Sequence, residues 1–130
     1  MRYKLRSLFV AALCVFAALG QARAICSSAN CMKKYIGKSY AIARVQLIAG
    51  GFQPVHLKHS AMDFECLHNS FCEKYPEVMD CANDTPCAFV LRAPRSATYI
   101  VVFTFGDARP TVTSIRRAEP SDMREIKGRL

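Results

Sequence analysis

Cysteine is the residue type in this sequence whose spacing points most directly to chemistry. Six of the seven cysteines form three neighbouring couples, which are Cys26 and Cys31, Cys66 and Cys72, and Cys81 and Cys87. None of the couples has the C-x-x-C spacing that is typical of zinc ligands, so disulfide bonds are favoured over a metal site. We prefer pairing within each couple, although the sequence alone leaves the connectivity open. The cysteines therefore predict a disulfide-stapled domain that holds no metal and no other cofactor.

Histidine is the second residue type that could carry chemistry, through His56, His59 and His68. Paired histidines can perform general acid–base catalysis, and histidine beside a carboxylate can bind a transition metal. The spacing favours neither use, because residues three apart on a strand, such as His56 and His59, point to opposite faces. The sequence contains no G-x-S-x-G, H-E-x-x-H or glycine-rich phosphate motif. We expect exposed loop histidines, with a small secreted hydrolase or nuclease as the alternative function, and we expect Glu73 and Glu77 to be ordinary surface carboxylates.

The first 24 residues have the pattern of a signal peptide. Basic residues precede an apolar run over 8–19, which is too short to span a bilayer as a helix, and Ala22 and Ala24 are small enough for cleavage. Cleavage after Ala24 would remove Cys14 and leave 106 of the 130 residues, with 14 Lys and Arg against 10 Asp and Glu. The net charge would then fall from +8 to +4, which does not favour nucleic-acid binding. We expect an exported chain, periplasmic or secreted, without stable membrane insertion after cleavage.

One main helix is predicted over 39–49. Ser39 can cap its start, and two glycines at 50 and 51 can end it. Two sets of apolar residues recur at helical spacing, which are Tyr40, Ala43 and Leu47, and Ala41, Val45 and Ile48. Together these sets predict an apolar face that is broad enough to lie on a sheet.

Four short segments have the composition of β-strands. An edge strand is predicted over 53–58, and a meander over 87–92, 99–105 and 111–115, because β-branched and aromatic runs are bounded there by Pro, Gly and Asp. The short turns between them predict antiparallel neighbours. Both faces of the 99–105 strand are apolar, so we expect it to be central, with the helix on one face and the cysteine-containing segment before the meander on the other.

These elements predict an α+β fold in which one main helix packs on a four-stranded antiparallel sheet that disulfides staple. The predicted domain covers 39–117. A cysteine loop and N-terminal segment over 25–38 precede it, and a flexible tail over 118–130 follows it, in which Ser121 could cap a single helical turn.

Several short patterns invite comparison with known families. They are Tyr40-x-x-Ala43-Arg44-x-x-Leu47 followed by Gly51-Phe52-x-Pro54, then Tyr75-Pro76-Glu77, then Cys81 and Cys87-x-Phe89. These patterns resemble a group of small exported bacterial proteins of unassigned function. The helix and sheet are similar to a unit of the β-lactamase-inhibitory-protein-like fold. The resemblance implies a Gram-negative envelope protein with a helix on a four-stranded antiparallel sheet, and it implies protein binding rather than catalysis.

The leading hypothesis is a periplasmic or secreted binding protein, such as an inhibitor or immunity-type partner of another envelope or secreted protein. Candidate contacts are aromatic and charged residues in predicted loops, which are Tyr35, His68, Phe71, Tyr75 and Arg95. A cationic factor acting on membranes or cell-wall polymers is a further alternative. The sequence does not define the oligomeric state.

Overall fold

The computed structural model describes residues 29–59, 70–82, 86–106 and 109–130. The predicted signal peptide, Cys26, Cys66 and His68 therefore lie outside the described residues, as does the side chain of Phe71.

The described residues form short helices around one antiparallel sheet. The helices are α1 (Ala29–Met32), a 3-10 helix (Lys33–Tyr35), α2 (Tyr40–Ala49), α3 (Ser70–Lys74) and α4 (Pro120–Arg129). The strands are β1 (Gln53–Pro54), β2 (Val78–Cys81), β3 (Cys87–Arg92), β4 (Tyr99–Phe105) and β5 (Thr111–Arg117). The prediction of an α+β fold with an antiparallel sheet is thus confirmed. The prediction of one main helix is wrong, because four α-helices occur within the described ranges. Four strands, β1, β3, β4 and β5, lie side by side in the sheet, and the short β2 pairs with β3 in addition.

The sheet is organised around β3, which pairs with three other strands. On one side β3 pairs with β4 along its whole length, from Cys87 opposite Thr104 to Arg92 opposite Tyr99, and β5 pairs with the far side of β4. On its other side β3 pairs with β2 near its start and with β1 near its end. The two short strands therefore lie end to end along one edge.

Helix α2 covers one face of the sheet. Successive strand residues point to opposite faces, so Phe89 and Leu91 of β3 lie on the α2 side while Ala88 and Val90 lie on the other. The buried residues that the helix contributes are Tyr40, Ala43 and Leu47. Ser39 stands at the helix start as predicted, but its side chain makes no capping hydrogen bond.

Helix α4 covers the opposite face of the sheet, where we had expected the cysteine-containing segment. Ile126 is fully buried against Val90 and Val101, and Met123 packs beside it. The described part of the cysteine-containing segment instead places Tyr75 in the core on the α2 side. The C-terminal residues are thus a ten-residue helix rather than the frayed tail that their polar sequence predicts.

One disulfide joins β2 to β3. The sulfur atoms of Cys81 and Cys87 are bonded, and the Cα atoms of the two residues are 4.1 Å apart. Cys31 and Cys72 are disulfide-bonded as well, but the pairing within their predicted couples stays a prediction. No helix in the described ranges has the length and apolar character needed to cross a membrane.

Candidate functional site

A buried carboxylate holds helix α2 on the sheet. Glu77, which is fully buried, accepts a hydrogen bond from the Tyr40 hydroxyl at 2.9 Å and pairs with the Arg44 guanidinium. Tyr40 and Arg44 are four residues apart, so they lie on the same side of the helix. The Glu77 backbone carbonyl accepts a hydrogen bond from the Val90 amide at 2.9 Å, which ties the carboxylate to the edge of β3. The prediction that Glu77 is a surface carboxylate is therefore wrong.

Three aromatic rings pack together beside the buried Glu77 carboxylate. The ring of Tyr40 stacks on Phe89 with centroids 3.7 Å apart and meets Tyr75 edge-on at 5.1 Å. Burial raises the pKa of the Tyr40 phenol well above its usual range, and the Glu77 charge adds to the effect. The hydrogen bond to Glu77 raises the pKa of Arg44. The cluster therefore keeps a neutral phenol and a guanidinium cation on the inner side of α2.

The outer side of α2 is apolar and exposed. Ile42, Val45 and Ile48 are 54%, 65% and 39% exposed, and Ala41 and Ala49 are exposed beside them. We call these five residues the α2 stripe. Their spacing of three and four residues places them along one side of the helix. Sequence reasoning assigned part of this set to the sheet-facing side, because both sides of the helix are equally apolar.

A groove lies at the N-terminal end of the α2 stripe. Its basic residues come from three elements, which are Lys38 before α2, Lys74 at the end of α3 and Arg109 in the turn before β5. Its other lining residues are Gly37, Ser39, Ala41, Ile42, Tyr75 and Pro110. We call this feature the basic groove. A backbone hydrogen bond joins the start of α2 to the turn before β5, because the Tyr40 amide donates to the Pro110 carbonyl at 2.7 Å.

Arg95 lies at the other end of α2. It is exposed at the tip of the β3–β4 turn, with a φ of 53° in the left-handed region that non-glycine residues rarely adopt. The turn packs on the glycines after α2, since a Cβ atom on Gly51 would lie 3.1 Å from Cβ of Pro94. Gly51 also has a φ of 94°, so both backbone conformation and space require glycine there.

The structure separates the residues that the sequence suggested as contacts. Tyr35 and Tyr75 are 2% and 6% exposed, so their rings pack in the core instead of standing in exposed loops. Arg95 is exposed as expected, and the side chains of His68 and Phe71 lie outside the described residues. The α2 stripe and the two lysines of the basic groove were not predicted as a site. The sequence signal for the α2 stripe is a helix with apolar residues on both of its sides.

The histidines do not form a described catalytic cluster. His56 is exposed and His59 is half-buried on the segment after β1, while His68 lies outside the described residues. Within the described ranges, no group of three or more His, Cys, Asp or Glu side chains is placed to hold a metal ion.

No protein-family model matches this chain, and no curated protein or solved structure is significantly similar to it. The function must therefore be argued from the described residues themselves.

Proposed function

We propose that this chain is a periplasmic or secreted binding protein that docks another exported protein on the α2 stripe. The observation that carries the proposal is the exposure of Ile42, Val45 and Ile48 on a helix whose other side buries Tyr40, Ala43 and Leu47. Contiguous exposed apolar residues of this kind mark interaction surfaces in soluble proteins.

The energetics of burial support this use of the stripe. Fully burying an exposed valine or isoleucine side chain stabilises by about 1.5–3 kcal/mol. Three such residues on one helix can therefore supply several kcal/mol toward the cost of association, which is itself at least roughly 4 kcal/mol. A helix face that is already rigid loses little further freedom on binding, and Glu77 provides that rigidity from the inner side.

Charge favours a different protein over a second copy of this chain. The stripe has Lys38, Lys74 and Arg109 near one end and Arg95 on the turn packed at the other. A two-fold dimer through this face would bring like charges together, because both copies present the same patch. A partner with an apolar centre and acidic edges would pair with these cations instead.

Export is the part of the proposal that rests on the cysteines and the N-terminus. The Cys81–Cys87 disulfide is typical of proteins in oxidising compartments, and the first 24 residues have the signal-peptide pattern. The same compartment would contain the partner. An inhibitor or immunity-type role would follow if that partner were an enzyme or a toxin.

The test begins by placing a photo-crosslinking amino acid at position 45 in the full chain, and at position 114 in a control. Ser114 is exposed on β5 opposite Phe103, so it faces the α4 side of the sheet. Crosslinked protein from envelope extract is identified, purified and titrated against Val45→Asp and Ser114→Asp. We expect Val45→Asp to weaken binding about tenfold or more and Ser114→Asp to leave it within about twofold.

Three results would overturn the proposal. The first is equal weakening by both variants, because the contact would then not involve the stripe. The second is crosslinking only between copies of this chain, which would make the stripe a homodimer contact. The third is a captured protein whose binding to the purified chain does not saturate.

A further inference from the structure

We infer that the basic groove binds an extended acidic segment of the partner protein, in which carboxylates flank an apolar side chain. This inference rests on the proposed function and names the chemistry that its partner would present. The groove adjoins the α2 stripe through Ala41 and Ile42, which belong to both.

Three cations from separate parts of the fold converge on the groove. Lys74 and Arg109 are exposed, and Lys38 is half-exposed. The ammonium of Lys38 donates to the neutral Gln46 side chain at 2.9 Å, which orients the charge without neutralising it. Among the described residues, no carboxylate forms an ion pair with any of the three. Their positive charge is therefore left for a ligand.

The sequence around Lys38 reinforces its charge. Residues 29–59 contain five Lys and Arg and no Asp or Glu. The buried carboxylate that meets this part of the chain, Glu77, is already paired with Arg44. Attraction toward an acidic segment would thus not be offset by carboxylates in the same stretch of chain.

The apolar lining argues for a peptide rather than a simple anion. Ala41, Ile42 and Pro110 line the groove together with the three cations, so a ligand that fills it must bury apolar groups as well as present charge. The groove is open to solvent on one side and has a volume of about 780 Å³, which is room for several side chains and far more than one small anion fills. Binding of single-stranded nucleic acid is not favoured, because it relies on exposed aromatic faces and Tyr75 is only 6% exposed.

The test is an NMR titration of the full, disulfide-bonded chain with two capped hexapeptides. One has two leucines flanked on each side by two glutamates, and the other has glutamines in place of the glutamates. We expect the glutamate peptide to bind with a Kd of about 0.1–1 mM and to shift the amides of Lys38, Ile42 and Arg109. The glutamine peptide should bind about tenfold more weakly.

Charge-reversal variants test whether the groove is responsible. Lys74→Glu with Arg109→Glu should weaken the glutamate peptide about tenfold or more, since each close pair contributes up to roughly 1 kcal/mol at an exposed site. The matched control is Arg124→Glu with Lys127→Glu, which changes two exposed residues of α4 by the same charge. That control should leave the Kd within about twofold.

The inference would be overturned by equal binding of both peptides, or by equal weakening in the control. The inference would also fail if inorganic polyphosphate competed for the groove as strongly as the glutamate peptide itself does, since the groove would then be a general anion site. Failure here is separable from failure of the proposed function. If the partner still depends on Val45 while the groove variants have no effect, docking on α2 stands and the acidic-segment inference does not.

Discussion

At the level of single residues, the Glu77 carboxylate determines which side of helix α2 is exposed. Both sides of the helix are apolar, so hydrophobic burial alone would nearly balance between them. The difference is that one side carries Tyr40 and Arg44, which bond to Glu77. An unpaired carboxylate at that depth would be costly to bury. The orientation of α2 about its own axis that pairs Tyr40 and Arg44 with Glu77 is therefore the one that leaves the α2 stripe in solvent.

Replacing Glu77 by glutamine should destabilise the fold substantially. Removing one partner of a buried ion pair costs roughly 3–5 kcal/mol. Because the Arg44 side chain is 25% exposed and can gain water, we expect the free energy of unfolding to fall by about 2–3 kcal/mol. Urea denaturation at neutral pH measures the change.

The control for Glu77→Gln is Glu125→Gln, because Glu125 is 39% exposed in its pair with Arg129. This control should change stability by about 0.5 kcal/mol or less. Equal losses in the two variants would contradict the role of Glu77.

At the level of elements, local sequence predicts strands better than it predicts what covers them. The bounds of β3 and β4 match the prediction, because β-branched and aromatic runs between turn residues determine them locally. The first strand was predicted over 53–58 but ends at Pro54, since β2 occupies the remaining edge of β3. Helix α4 was missed because its stability comes from docking Met123 and Ile126 on the sheet, which is a tertiary contact.

The candidate site was hidden from sequence reasoning for the same physical reason. The periodicity of α2 identifies a helix but cannot say which of two apolar sides faces inward. That choice depends on Glu77, which is 33 residues beyond Arg44. The basic groove likewise joins Lys38, Lys74 and Arg109, which only the folded chain brings together. Arg95 could be identified in advance because a Pro-Arg-Ser turn between two strands is a local signal.

The start of helix α4 should make the fold acid-sensitive through Asp122. Its carboxylate pairs with Arg116 and accepts a hydrogen bond from the Glu119 amide at 2.6 Å. The hydrogen bond from Arg116 lowers the pKa of Asp122 below its ordinary 3.8. This stabilisation is present above the ordinary pKa and is lost as the pH falls through the lower folded-state pKa. Asp122→Asn should thus cost about 1 kcal/mol at pH 7.

The pH dependence distinguishes this ion pair from a general packing defect. The difference in unfolding free energy between the native chain and Asp122→Asn should begin to shrink as the pH falls below about 4, where the unfolded chain takes up the proton, and should reach its minimum below the lower folded-state pKa, where Asp122 is neutral in both states. Asp80→Asn, at an exposed position on β2, is the control and should change stability by less than about 0.5 kcal/mol. A difference for Asp122→Asn that stays constant with pH would show that its charge is not what stabilises α4.

At the scale of the whole molecule, charge is divided between the two halves of the described chain. Residues 29–59 include Lys33, Lys34, Lys38 and Lys58 without any acidic residue. All the described carboxylates lie in 70–130, and several are paired there with arginines of their own half. The 70–130 half is net positive as well, with nine Lys and Arg against six Asp and Glu among its described residues, but only the 29–59 half has no carboxylate of its own to offset its cations.

This uneven charge should make the fold more stable when salt is added. The Debye length falls from about 20 Å at 20 mM salt to about 7 Å at 200 mM, which screens the repulsion among the lysines before α2 more than it weakens the buried Glu77 pair. We expect the unfolding midpoint to rise by roughly 2–3 °C, which corresponds to about 0.5 kcal/mol. Differential scanning calorimetry at the two NaCl concentrations measures the shift. Lys33→Gln should reduce the gain, because it removes one exposed charge from a stretch, residues 29–59, that has no carboxylate. Lys127→Gln on α4 should reduce the gain less, because Glu119, Asp122 and Glu125 lie in the same part of the chain. A midpoint that falls with salt would mean that attractive ion pairs dominate the electrostatics and that repulsion among the lysines of 29–59 does not destabilise the fold.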